Sequence, residues 1–216
     1  MIKKGIFIFL ILSFPILLML SVTIYTINDK KFILNEFEKY NINVENKEKI
    51  VGQILDYFKN DKRDLDVYGF GLKEISHMRD VKLVILKTRY FFYVLLAINI
   101  LLLFLSYLYY AEYKKEKTKI IFKRFLNYLF YGSLSTMALI LLLFLSSFIN
   151  FEFLFSLFHK TFFPQGNYAF ASGLLITLFP EEFWIDALVR ICTISFIISL
   201  AVFLAVFLLK ILKFKK

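Results

Sequence analysis

Four long apolar stretches, separated by segments of mixed polarity, set the hydrophobic pattern of this chain. Ile6–Ile27 carries no charge, and the apolar runs within 90–111, 125–149 and 187–209 are similar in length. About 20 apolar residues in a helix cover the roughly 30 Å of hydrocarbon in a bilayer. The pattern therefore predicts transmembrane helices at 1–27, 90–111, 125–149 and 187–216, the last ending in a basic tail. The first run is longer than the core of a signal peptide. It leads into Thr26-Ile-Asn-Asp-Lys-Lys rather than a small-residue cleavage site, so it is expected to stay as an anchor. The fourth run carries one charge, Arg190, close to one end, where a long side chain can reach the interface.

Between these runs lie two larger segments. In 28–89 charges of both signs alternate, as on a small folded cap. Lys47–Phe58 places Ile50, Val51, Ile54, Leu55 and Phe58 at helical spacing, with Asn46 as the expected N-cap. Residues 60–66 read as a polar connection, and Val67–Leu72 as a short strand or a turn. A second helix is expected from near Leu72 into the second span, with Ile75, Met78 and Val81 inward. Phe32–Val44 fits helix and strand equally. The segment 150–186 is mostly aromatic. Gln165-Gly-Asn is turn chemistry, Leu174–Phe179 is too short to cross a bilayer, and Pro180-Glu-Glu opens the last helix. Irregular backbone at membrane depth survives only where protein or a wet cavity surrounds it. The segment is thus expected to re-enter or lie in the interface as the wall of a lipid site. The fold class is an all-α membrane protein: four transmembrane helices, a small helical extracytoplasmic cap with room for a short strand pair, and a second outer re-entrant segment.

Charge sets the expected orientation. With the N-terminus inside, the inner segments hold Lys3 and Lys4, six basic residues between Lys114 and Arg124, and four between Lys210 and Lys216. Only Glu112 and Glu116 oppose them, so the whole formal charge of +10 falls on one side. That is a positive-inside pattern, and it explains the basic balance through orientation and anionic lipid rather than nucleic acid. The expected location is a bacterial cytoplasmic membrane, with both termini cytoplasmic and the site facing the outer leaflet. With 28 Phe and 13 Tyr in 216 residues, the chain is far richer in aromatics than a soluble domain. The single Cys192 falls inside the fourth span and reads as packing.

The chain has two histidines, and both fall in the outer segments: His77 in Ser76-His-Met-Arg-Asp80, His159 in Phe158-His-Lys-Thr-Phe162. Imidazole takes and gives protons near neutral pH, so two converging rings would form an acid–base pair. Asp80, three residues beyond His77 on a helix, can meet it and fix its tautomer; it can equally pair with Lys73, Arg79 or Lys87 on a solvated face. No nucleophile elbow, phosphate-binding loop, dinucleotide fingerprint or zinc-protease motif is present. Two isolated histidines give no metal-ligand spacing, so neither metal nor cofactor is expected. The spans lack acidic residues, which disfavours proton-coupled transport. An enzyme of lipid esters, acting by transfer or by hydrolysis, and a non-enzymatic accessory protein binding through its cap stay open on these grounds.

The order Ile54-Leu-Asp-Tyr-Phe58, His77-Met-Arg-Asp-Val-Lys82, Phe158-His-Lys-Thr-Phe-Phe-Pro-Gln-Gly-Asn-Tyr-Ala-Phe170, Leu174-Leu-Ile and Phe179-Pro-Glu-Glu-Phe-Trp184 resembles the bacterial lipoprotein intramolecular transacylase family. The similarity spans nearly the whole chain. It departs from the family's pattern at Tyr168, where a tryptophan is usual, and at Ala171-Ser-Gly, which carries no acid. The resemblance implies an acyltransferase whose partners are diacylglyceryl-modified lipoproteins within membrane lipid. Such enzymes move the sn-2 acyl chain from glycerol to the α-amino group of the same cysteine, giving an N-acyl, S-monoacylglyceryl lyso-form. The family's essential histidines map onto His77 and His159. Asp80, Asn167 and Tyr168 are expected in support, Asn167 as one candidate donor to the oxyanion.

Overall fold

The computed structural model describes residues 2–60, 65, 67–113, 117–168, 170 and 172–214, and among these it forms eight helices and no strand. They are α1 (Ile2–Ile27), α2 (Lys30–Lys39), α3 (Lys47–Lys59), α4 (Leu72–Tyr113), α5 (Lys117–Ile149), α6 (Phe151–Phe162), α7 (Leu174–Leu178) and α8 (Glu181–Phe214). Four of them, α1, α4, α5 and α8, are long and apolar enough to cross a membrane. The chain is a multi-pass membrane protein with an all-α fold. Most of the polar connection expected at 60–66 lies outside the described residues.

The chain divides into two compact units. One joins 1–22, 90–145 and 191–216; the other joins 23–89 and 146–190. In the first, lipid tails are as apolar as leucine, so helices associate by close packing and hydrogen bonds rather than by hydrophobic burial. Both devices are present. Gly132 of α5 lies against Phe14 of α1, where an added Cβ would come within 2.8 Å of the ring. Ser13 donates to the Asn99 side-chain oxygen at 2.7 Å, joining α1 to α4, and Ser135 donates to the Ile11 carbonyl.

The second unit is built as a soluble domain is, around an apolar core. Phe32, Ile33 and Phe37 of α2 and Ile50, Val51, Ile54, Leu55 and Phe58 of α3 are buried together with Met78, Leu175, Leu178 and Phe183. Phe37 and Leu178 have no exposed surface, and each such side chain contributes about 1.5–3 kcal/mol through burial. The open choice at 32–44 resolves as helix as far as Lys39, with a turn at Tyr40-Asn41 and irregular backbone beyond. Asp29 caps α2 by accepting from the Phe32 N–H at 3.1 Å, which satisfies a donor that a strand would have paired elsewhere. Asn46 stands at the N-cap of α3 but in the left-handed conformation (φ 57°), with no capping bond from its side chain. Its carbonyl instead accepts from Lys49 and Ile50, so backbone alone starts that helix. Val67–Leu72 forms a turn at Tyr68-Gly69, not a strand. Arg190, expected to reach for the interface, is ion-paired with Asp29 and lies over the Phe32 ring at 4.3 Å.

Candidate active site

Every residue singled out in the sequence as chemical lies in the second unit, on three pieces of chain. His77 and Asp80 sit on the first turns of α4. These turns are rich in charge (Lys73, Glu74, Arg79, Asp80, Lys82) and precede the apolar window that begins near Tyr90. His159 sits near the end of α6. Asn167 and Tyr168 lie in the turns beyond it, where Gly166 takes a positive φ of 72°.

The two imidazole rings converge. Their centroids are 6.2 Å apart and their planes differ by 25°. Aromatic side chains enclose both. Phe163 lies 4.8 Å from the His77 ring and 5.5 Å from that of His159. Phe170 packs on His77 at 5.6 Å; Phe155 and Tyr168 pack on His159 at 4.1 and 5.0 Å. Exposure falls to 7% for His77 and 9% for His159.

Burial decides the charge of the pair. Desolvation pushes the pKa of His77 below the ordinary imidazole value; Asn167 and Asp80 partly oppose the shift, and a positive His159 adds to it. Desolvation likewise lowers His159, against a bond that favours its protonated form. Both rings are therefore neutral at pH 7. The His159 bond fixes its tautomer: Nδ1 lies 2.8 Å from the Phe155 carbonyl, which can only accept. The proton is on Nδ1, and Nε2 keeps its lone pair.

Asp80 does not reach His77 directly. Its carboxylate accepts from the Asn167 side-chain amide at 2.5 Å, so the two supporting residues meet each other beside His77. Tyr168 supports the other ring. The Lys73 ammonium lies over Phe170, at 5.4 Å from its centroid. Among the described residues no group of three or more His, Cys, Asp or Glu side chains is placed to hold a metal ion.

A sequence model for the lipoprotein intramolecular transacylase Lit matches residues 6–184. The chain belongs to the lipoprotein intramolecular transacylase family. It is thus an acyltransferase of lipoproteins. Solved structures carry the same fold. The membrane-integral lipoprotein intramolecular transacylase Lit from Bacillus cereus, determined in meso, is 22% identical, with a TM-score of 0.76 over 99% of this chain and 98% of that one. Two further in meso structures of the same protein, one with a histidine replaced by arginine and one by alanine, are each 21% identical. Their TM-scores are 0.76 and 0.77, covering all of this chain and 95% and 96% of theirs. No curated protein matches the chain.

Sequence reasoning missed one residue of this transacylase. Glu74 is buried, and its carboxylate accepts from the backbone N–H of Gly71 at 2.7 Å and of Leu175 at 2.6 Å. The first bond is half of a capping box at the start of α4; the second caps α7. Gly173 lies so close that an added Cβ would stand 2.5 Å from the carboxylate. An acid three residues after Gly71, opening a helix, was the available signal.

Proposed function

We propose that this transacylase moves the sn-2 acyl chain of an S-diacylglyceryl-cysteine to the α-amino group of the same cysteine, with His77 and His159 as general acid and base. The observation that carries the reading is the pair of buried imidazoles 6.2 Å apart inside one aromatic enclosure. The substrate brings its own nucleophile. An α-amino group has a pKa near about 8, so much of it is protonated at neutral pH and inert. The free-amine form attacks the ester carbonyl carbon, and a neutral imidazole takes the proton that the attacking nitrogen sheds. The carbon–oxygen bond to glycerol then breaks, and the imidazolium returns the proton to the departing oxygen. An amide replaces an ester, with no water or cofactor consumed.

Both reacting groups are on one molecule, so most of the catalysis is positioning. Folding the lipid until amine and ester touch converts the reaction into a unimolecular step of high effective molarity. The phenylalanines around the rings suit that task and exclude the water that would hydrolyse the ester. The charge asymmetry of the chain supports placing the histidines on the extracytoplasmic side, where diacylglyceryl lipoproteins of the outer leaflet reach them.

The test is mass spectrometry of a lipoprotein's N-terminal peptide from cells expressing wild type, His77→Gln or His159→Gln. Lyso-form peptide is expected from wild type alone, with diacylglyceryl peptide retained in both variants. Undiminished lyso-form from both would remove the histidines from the mechanism.

A further inference from the structure

Three polar side chains beside His77 form an incomplete chain of hydrogen bonds. Asn167 donates to the Asp80 carboxylate. Among the described residues, two buried polar atoms next to it have no partner: Asn167 Oδ1 and His77 Nδ1. No bond of ordinary geometry closes between them, yet the Asn167 side chain is near enough to favour the protonated imidazole. Buried polar groups of native proteins are paired in the great majority of cases, and two complementary orphans on neighbouring side chains are the natural couple.

The chemistry of each group fixes the direction of the chain. A carboxylate oxygen accepts, so it orients the Asn167 amide with its N–H₂ toward Asp80. The amide oxygen then points away from Asp80, and it too can only accept. An imidazole nitrogen facing it must carry a proton, because a lone pair there would meet another lone pair.

We propose that Asn167, held by Asp80, is a positioning residue that selects the Nδ1–H tautomer of His77 and leaves Nε2 free to act as the base. The assignment deepens the histidine mechanism above and rests on it for its functional consequence. It gives the two rings the same polarity by different means. His159 is set by the Phe155 carbonyl of its own helix; His77 is set by a side chain from the turn after α6. It also explains how Asp80 acts on an imidazole that it does not touch: its orientation of the amide passes through Asn167.

The chain's two histidines make the tautomers directly readable. In protein labelled with ¹⁵N-histidine and reconstituted in detergent at pH 8, nitrogen chemical shifts separate protonated from lone-pair ring nitrogens. His159→Gln assigns the His77 signals. Wild type is expected to show His77 protonated on Nδ1. Asn167→Ala is expected to move His77 toward the Nε2–H form and to slow lyso-form production about 10- to 100-fold, the usual scale for losing an orienting partner. Asp80→Asn, equal in size, frees the amide to flip and is expected to give a mixture of tautomers. It serves as the probe should Asn167→Ala fail to fold. An Nε2–H tautomer at His77 in wild type, or an unchanged Nδ1–H tautomer in the folded variant, overturns the assignment. The two readings fail separately. A shifted tautomer with undiminished product sinks the histidine mechanism and keeps the assignment; lost product with an unshifted tautomer does the reverse.

Discussion

Glu74 accepts a hydrogen bond from the Leu175 backbone N–H, and so ties the helix that carries His77 to a segment 101 residues further along the chain. The same carboxylate holds the Gly71 N–H at the start of α4. Two helix N-termini thus share one buried acceptor. Replacing Glu74 by Gln keeps the shape but turns an amide N–H₂ toward one of two backbone donors. We expect a loss of about 1–3 kcal/mol, the cost of leaving a buried donor unpaired. Chemical denaturation of the purified variant checks it. An unchanged midpoint would show that α7 is held by packing alone.

The neutral histidines set a pH dependence. Both folded-state pKa values lie below the ordinary imidazole value of about 6.5, burial being the first cause in each. The base form therefore persists as pH falls through 6.5, and loss of the histidine base is expected only below it, apart from the fall in rate caused by protonation of the substrate amine near about 8. Stability has the same sign. Below about 6.5 the unfolded chain takes up protons that the folded chain refuses, so stability declines until pH passes the folded values and then levels. Initial rates and melting midpoints measured between pH 4.5 and 8 read both effects. A fall in melting midpoint centred above 6.5 would contradict the burial argument.

Phe163 touches both rings and is 3% exposed. Phe163→Ala is expected to cost about 3–5 kcal/mol in stability, as for other large-to-small changes in a core. It also admits water beside the imidazoles. The expected signature is free fatty acid together with a lipoprotein bearing an unblocked amine, seen by lipid extraction and N-terminal mass spectrometry. Slower transfer with no hydrolysis product would mean that Phe163 shapes the lipid rather than excluding water.

Two ion pairs of the second unit should differ in weight. Lys39 pairs with Asp186 but is 53% exposed, and exposed pairs contribute little. Arg190 pairs with Asp29 from a half-buried position and lies over Phe32 and Tyr25. Arg190→Ala is expected to lower stability by about 1–3 kcal/mol, and Lys39→Ala to leave the melting midpoint nearly unchanged. Equal effects in thermal denaturation would refute this ranking.

Four spans could be read from composition, because crossing hydrocarbon requires some 20 apolar residues in one helix whatever the rest of the chain does. The helix at 47–59 was legible for a similar reason: its periodicity is a local property of consecutive side chains. The histidines stood out because the chain has two, both in the segments between apolar runs. That their rings meet was not readable, since 82 residues separate them and no local rule brings α4 to α6. The same holds for the bond from Asn167 to Asp80 and for the clamp made by Glu74. In the sequence Asp80 appeared able to reach His77 by helical spacing; in the structure the turn after α6 delivers Asn167 to Asp80 instead. Local patterns are fixed by bonds a few residues long, which determine helices, spans and the supply of chemical groups. The partners of each buried polar group are fixed by which distant segments the apolar core draws together, and only tertiary packing decides that.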